Sequence, residues 1–256
     1  MAKFFVNPEN VKENEILITG SDVKHIKNVL RLSEGKEITI NDGQGHDYEC
    51  IIKQIDRDVI SAQIVEKKDA NSEPPLSTVL FQSLIKGEKM EFVIQKSIEI
   101  GVTTIIPMIT DRCVVKLETP KKQQSKLERW QKIAESAAKQ SKRGIIPQIL
   151  APMTYKEAIA YACRDLEKSC IPFENEHSHY LKRFLSGEMP SSIGIFIGPE
   201  GGFTDEEVAY AMQHHISPVT LGKRILRSET AGLVTLANIM YEVEETDDGG
   251  CKISSC

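Results

Sequence analysis

A chain of 256 residues, 40% hydrophobic and 27% charged, is long enough to bury a sizeable core, and length alone allows one or two domains. No apolar stretch is long enough to cross a membrane and Met1 to Asn10 lacks the apolar core of a signal peptide, so a soluble cytoplasmic protein is expected. A net charge of −5 excludes little, because binding to nucleic acid depends on local positive potential more than on the total.

The first 70 residues carry short alternating segments: Glu37-Ile38-Thr39-Ile40, a turn at Asn41-Asp42-Gly43, then Tyr48-Glu49-Cys50-Ile51-Ile52 and Val59 to Val65. This pattern predicts a small β-barrel over 1–70, with Lys24, His25, Lys27 and Arg31 on a short helix near its start. Asp69 to Pro75 reads as a linker. A second domain over 76–245 opens with an apolar strand, Thr78 to Leu84, followed by a helix from about Lys89 to Ile100 with Gly101 as its C-cap, and a strand from Thr103 to Pro107. Strands alternating with helices predict an α/β fold with a mainly parallel sheet. From Lys116 to Arg143, nine Lys or Arg stand against three Glu; Trp130, Ile133, Ala134, Ala137 and Ala138 form an apolar stripe, leaving the charges to RNA or to solvent. Ser169 to Glu174 predicts a further strand end. The six cysteines show no CxxC pair and no zinc-like spacing with histidine, so no metal is expected. Residues 246–256 look too polar and glycine-rich to pack, which would leave Cys251 and Cys256 exposed.

The most informative run is Gly198-Pro199-Glu200-Gly201-Gly202-Phe203-Thr204. Before it, Ile193 to Ile197 reads as a strand covered on both faces. After it, Thr204 and Glu207 have the spacing of a capping box, so a helix should start at Asp205 with its N–H groups facing the loop. Glycines there let the backbone approach a ligand at the carboxyl end of a strand; a tight turn stiffened by Pro199, with no ligand, accounts for the motif equally well. A second unit of the same design follows. Pro218 to Leu221 reads as a strand, Gly222 to Arg227 as a loop, and Ser228 as the N-cap of a helix with Leu233, Val234, Ala237, Met240 and Tyr241 on one face. Two adjacent strand ends, each with a glycine-bearing loop, can enclose a small molecule from two sides.

The paired segments Ile197 to Phe203 and Leu221 to Ala231 resemble the signature of the RsmE family of SPOUT methyltransferases, which methylate uracil N3 in rRNA. Further matches are Gln95 to Val102, Arg129-Trp130 with Gln140-Ser141 and Arg143, and His25-Ile26 with Val29-Leu30-Arg31. The resemblance runs from Phe4 to about Glu242 and departs at Lys3, where the family usually carries Arg; Lys keeps the charge and loses the bidentate fork. It implies a PUA-like RNA-binding barrel over 1–70 and a SPOUT domain over 76–245 threaded into a trefoil knot that holds S-adenosyl-L-methionine. It also implies a homodimer acting on 16S rRNA within the small ribosomal subunit. Expected RNA contacts are Lys3, Lys24, Lys27, Arg31, Gln140 and Arg143.

Uracil N3 cannot attack a methyl group until its proton leaves or the developing anion is stabilised. Arg224 and Arg227 are candidates for polarising the base or holding phosphate, and Glu200 or Glu229 for a general base with a raised pKa. Glu229 could equally favour the helix dipole, and Arg227 could pair with Glu200 across the loops. The cofactor is expected against the main chain around Gly198, Glu200, Gly202, Leu221, Ile225, Leu226 and Ala231, with adenine against Leu221, Ile225 and Leu226. Two other readings stay open: a non-catalytic ribosome assembly factor, and a knotted enzyme acting on tRNA or a ribose 2′-OH. The lack of a G-x-x-x-x-G-K-[ST] sequence argues against a nucleotide phosphate cradle.

Overall fold

The computed structural model describes residues 3–115 and 119–247. Lys116 and Glu118 of the basic run, and the tail from 248 on with Cys251 and Cys256, lie outside the described residues. The chain divides into a first unit that reaches to Glu73 and takes in Ala138–Ile146, and a second unit built from Pro74–Ala137 and from Pro147 onward. The return of 138–146 to the first unit is long-range, and no linear composition shift announces it.

In the first unit, strands β1 (Lys3–Phe5), β2 (Glu15–Thr19), β3 (Glu37–Asn41), β4 (His46–Ile55) and β5 (Val59–Asp69) form one sheet in the order β1-β3-β4-β5-β2. All neighbours are antiparallel except β1 and β3. Alternation decides which face is covered: Ile16 and Ile18 of β2, Ile38 and Ile40 of β3, and Ile60 and Ala62 of β5 are fully buried in one cluster with Phe4, Cys50 and Ile52. A short helix, α1 (Ser21–Lys24), runs into a π-helical turn over His25–Val29 and adds Val23 and Ile26 to that core. The predicted turn lies between β3 and β4, where Gly43 has φ +70° and its N–H donates to Asn41 Oδ1.

The second unit holds a parallel sheet in the order β12-β10-β11-β6-β7-β8, built from β6 (Ser77–Ser83), β7 (Thr104–Ile109), β8 (Gln148–Ile149), β10 (Lys168–Pro172), β11 (Ser192–Ile197) and β12 (Ser217–Val219). The two-residue β9 (Met153–Thr154) also pairs with β7. Both faces of the sheet are covered, so its central strands are mostly apolar, with Thr78, Gln82 and Ser83 of β6 as buried polar exceptions. Val79 and Phe81 of β6 join a core with α4 (Tyr155–Asp165) and α6 (Asp205–Gln213). Leu80 and Gln82 point the other way, toward α7 (Ser228–Asp247), which packs on α2 (Lys89–Ile100). Gly101 closes α2 with φ +122°, as its placement predicts. Between β7 and β8 runs α3 (Pro120–Gln140), with Trp130, Ala134, Ala137 and Ala138 buried; a single turn, α5 (Leu181–Phe184), follows β10. Pro218 is accommodated because β12 is an edge strand.

From that edge the chain turns back past the end of β10, and Gly232 of α7 then lies against Ile197, Gln82 and Leu80. These contacts seat α7 against β6 and the end of β11. They also correct the predicted face of α7: the buried side is Gly232, Thr235, Leu236, Ile239, Met240 and Val243, whereas Ala237 and Tyr241 are exposed. The helix is apolar on two sides, so periodicity alone could not choose between them. Cys50 and Cys170 are buried, and burial pushes both thiols up to about 12, consistent with inert groups.

Candidate functional site

At the carboxyl ends of β11, β10 and β12 two adjoining cavities open, of about 460 Å³ and about 130 Å³. The larger is walled by the run Ile197–Phe203 on one side and by Ile225–Glu229 on the other; the smaller by Thr220–Leu226 and Phe173. Every residue expected to hold the cofactor lines one or both: Gly198, Glu200, Gly202, Ile225, Leu226 and Ala231 the larger, and Leu221 the smaller. The structure adds Lys89 from α2, and Pro172 and Glu174 join from the strand end Ser169 to Glu174, which the family resemblance places near the cofactor. Lys89 and Glu174 stand in separate segments far from the glycine run, and only the sheet order brings them there.

Each glycine of the run answers to a neighbour inside the protein. A Cβ on Gly198 would meet the Phe203 ring at 3.1 Å, one on Gly201 the Arg112 stem at 3.4 Å, and one on Gly202 the Glu174 carboxylate at 2.7 Å. Of the three only Gly202, at φ +67°, also needs the left-handed region. Phe203 and Glu174 are themselves cavity-lining residues, so the loop and two of its neighbours shape the wall together. Arg112 holds the loop from the β7 side, its Nη1 donating to the carbonyls of Gly201 (2.8 Å) and Phe203 (3.1 Å). The predicted capping box is present at α6, and Glu207 also accepts the Asp111 N–H at 2.9 Å.

Ser228 departs from expectation. The Arg227 carbonyl accepts the first helical bonds of α7, so Ser228 is the first helical residue and its hydroxyl does not cap. Instead it donates to the Gly198 carbonyl and accepts from Gln82 Nε2 at 3.0 Å, tying the two loops together. Gln82 is fully buried, and its Oε1 has no hydrogen-bond partner among the described residues. Ser228→Ala strands a carbonyl and an N–H and is expected to cost about 1–3 kcal/mol; Gln82→Leu, which also removes the unpartnered oxygen, should cost less. Urea denaturation of the two variants checks this order, and the reverse order would mean that the network does not bear on stability.

The titratable candidates separate. Glu229 is salt-bridged to Lys89 at 3.2 Å. Burial pulls its carboxyl up, but its own N–H, the Lys89 ammonium and the Arg227 charge outweigh that, so its pKa is lowered. That corrects the expectation of a raised value: Glu229 is a paired carboxylate and a weak base. Glu200 is exposed and accepts the Lys86 N–H at 3.1 Å; among the described residues it makes no pair with Arg227. Arg224 and Arg227 are exposed at the cavity walls.

Two of the expected RNA contacts are held against carboxylates within the first unit. The Lys3 side chain is 11% exposed and bonded to Asp47 at 2.9 Å. Arg143 is 3% exposed, its guanidinium against Glu73. Lys27 donates to the Asp56 carbonyl at 2.9 Å, and Lys24, Arg31 and Gln140 are exposed.

Comparison with known proteins agrees with this architecture. Residues 72–240 match the model of an RNA methyltransferase domain, and residues 18–65 that of an RNA methyltransferase PUA domain. The chain is 36% identical to the ribosomal RNA small subunit methyltransferase E of Bacillus subtilis, over 89% of this chain and 90% of that protein. Its counterpart in Synechocystis is 33% identical over 93% of this chain and 76% of that one. Among solved structures, a ribosomal RNA small subunit methyltransferase E from Neisseria gonorrhoeae bound to S-adenosyl methionine superposes with a TM-score of 0.81 at 34% identity, covering 94% of this chain and 98% of that one. Shared domains, near full-length coverage and a common fold make this chain a member of the ribosomal RNA small subunit methyltransferase E family.

Proposed function

We propose that the chain methylates N3 of a uracil in 16S rRNA of the small ribosomal subunit, with S-adenosylmethionine as donor. The observation that carries this is the cavity pair between two loops at parallel strand ends, in a chain 34% identical to a relative solved with that cofactor. The cofactor supplies an electrophilic methyl on a sulfonium. The chain's part is to hold and align the reactants. Main-chain groups around Gly198, Glu200, Gly202, Leu221, Ile225, Leu226 and Ala231 bind the cofactor, with Leu221, Ile225 and Leu226 against its adenine. Arg224 and Arg227, cationic and unpaired among the described residues, stabilise the developing negative charge of the base or seat a phosphate. Glu200 is the remaining carboxylate candidate for taking the N3 proton, since Glu229 is held by Lys89.

The RNA is gripped in part by Lys24 and Arg31, both exposed on the first unit, and by Gln140. A second copy of the chain covers the outer face of α7: Tyr241 is 60% exposed and Ile225, just before the helix, 86%. No helix among the described residues is long and apolar enough to cross a membrane, which suits work on ribosomes in the cytoplasm. The test is methyl transfer from labelled S-adenosylmethionine to small subunits lacking the modification, with nucleoside mass spectrometry. A 3-methyluridine product is expected. A different methylated nucleoside, or no transfer despite cofactor binding, would move the substrate to another RNA, and no transfer with no cofactor binding would return the assembly-factor reading.

A further inference from the structure

We propose that Glu174 reads the ribose of the adenosyl ligand, accepting hydrogen bonds from its 2′- and 3′-hydroxyls; this rests on the cofactor reading above. The two cavities share five lining residues, Pro172, Glu174, Ile225, Leu226 and Ala231, and Glu174 is the one among them with a polar side chain. Phe173, Leu221, Ile225 and Leu226 give the smaller cavity apolar surface suited to a purine. The larger has Lys89, Ser228 and Glu229 on its walls, polar groups suited to the charged amino-acid end. An adenosyl ligand laid across both has its ribose where the cavities join, and that is where Glu174 stands.

The chemistry of the group fits. A vicinal diol offers two donors, and an ionised carboxylate is acceptor-only with two oxygens. A carboxylate near the end of a strand beside the glycine loop, reading a ribose hydroxyl, is a general solution in open α/β sheets. Glu174 lies two residues past the end of β10, the strand between β11 and β12 whose following loops form the walls. Its carboxylate is seated against Gly202, where an added Cβ would come within 2.7 Å of Oε1, so the missing side chain at 202 gives the carboxylate its place.

A carboxylate could instead answer a positive charge, since S-adenosylmethionine carries a sulfonium and an ammonium. Three ligands separate these possibilities: S-adenosylmethionine, S-adenosylhomocysteine without the sulfonium charge, and 5′-methylthioadenosine without either charge. Calorimetry on the full chain is expected to show that Glu174→Ala weakens all three by a similar factor, on the order of tenfold or more, with Glu174→Gln in between. The wild-type preference for 5′-methylthioadenosine over its 2′,3′-dideoxy analogue should vanish in Glu174→Ala. Loss confined to S-adenosylmethionine would assign Glu174 to the sulfonium, and loss for the first two ligands alone would assign it to the ammonium; either overturns the proposal, as does unchanged binding in both variants. Failure of the wild-type chain to bind any of the three is a different result, because it removes the cofactor reading itself.

Discussion

Glu73→Ala is expected to destabilise the first unit by about 3–5 kcal/mol, because it leaves a buried guanidinium without its carboxylate. Arg143 is 3% exposed, and Glu73 also accepts the N–H groups of Gly144 at 2.7 Å and Ile145 at 3.1 Å. One carboxylate thus organises the whole return segment. Packing makes the segment unforgiving: a Cβ on Gly144 would come within 2.2 Å of the Ala70 Cβ, so 143–146 cannot shift toward the chain that leads to Glu73. Against a total stability of about 5–15 kcal/mol for a typical domain, such a loss is large. Glu73→Gln keeps an oxygen for the two backbone donors and loses only the charge, so it should cost less. Urea denaturation followed by far-ultraviolet circular dichroism reads both; a cost below about 1 kcal/mol for Glu73→Ala would mean that water replaces the carboxylate freely.

What the sequence made legible was local. The Thr204–Glu207 capping box, the Gly101 cap and the alternation of β3 and β4 each depend on residues two to four apart, and the structure reproduces them. The two loops were visible because turn glycines and a helix start lie side by side in the chain. What stayed hidden depends on distant partners. Arg143 looked like a surface cation in a basic run because its carboxylate lies 70 residues away. Glu229 looked like a free base because Lys89, which lowers its pKa, lies 140 residues away. Ser228 looked like a cap because its true acceptor, the Gly198 carbonyl, is set 30 residues back. The α7 face failed for a different reason: a helix apolar on two sides has no unique periodicity, and the choice went to the side where Gly232 lets the backbone approach Ile197 and Leu80.

Gly202→Arg is expected to abolish binding of S-adenosylmethionine while the chain stays folded. Two effects compete in this variant, and their sizes decide the outcome. A side chain at φ +67° pays roughly 1–2 kcal/mol of backbone strain, and its Cβ must push back the Glu174 carboxylate, 2.7 Å away. Glu174 is exposed and its end is mobile enough to yield, so the strain is a modest part of the domain's stability. The blocking effect is much larger. The guanidinium is drawn toward the Glu174 carboxylate, and the long side chain then lies where the larger cavity, of about 460 Å³, meets the smaller one, across the path of an adenosyl ligand. Gly202→Ala separates the two effects: it carries the same strain and the same Cβ contact but leaves the cavity open, so it should bind more weakly than wild type and far more tightly than Gly202→Arg. Calorimetry with S-adenosylmethionine, paired with thermal melts of each variant, distinguishes strain from blockage. Equal loss in both variants would make loop geometry the determinant, whereas wild-type binding by Gly202→Arg would place the cofactor outside this cavity, and the assignment of Arg224, Arg227 and Glu200 to the reaction would fall with it.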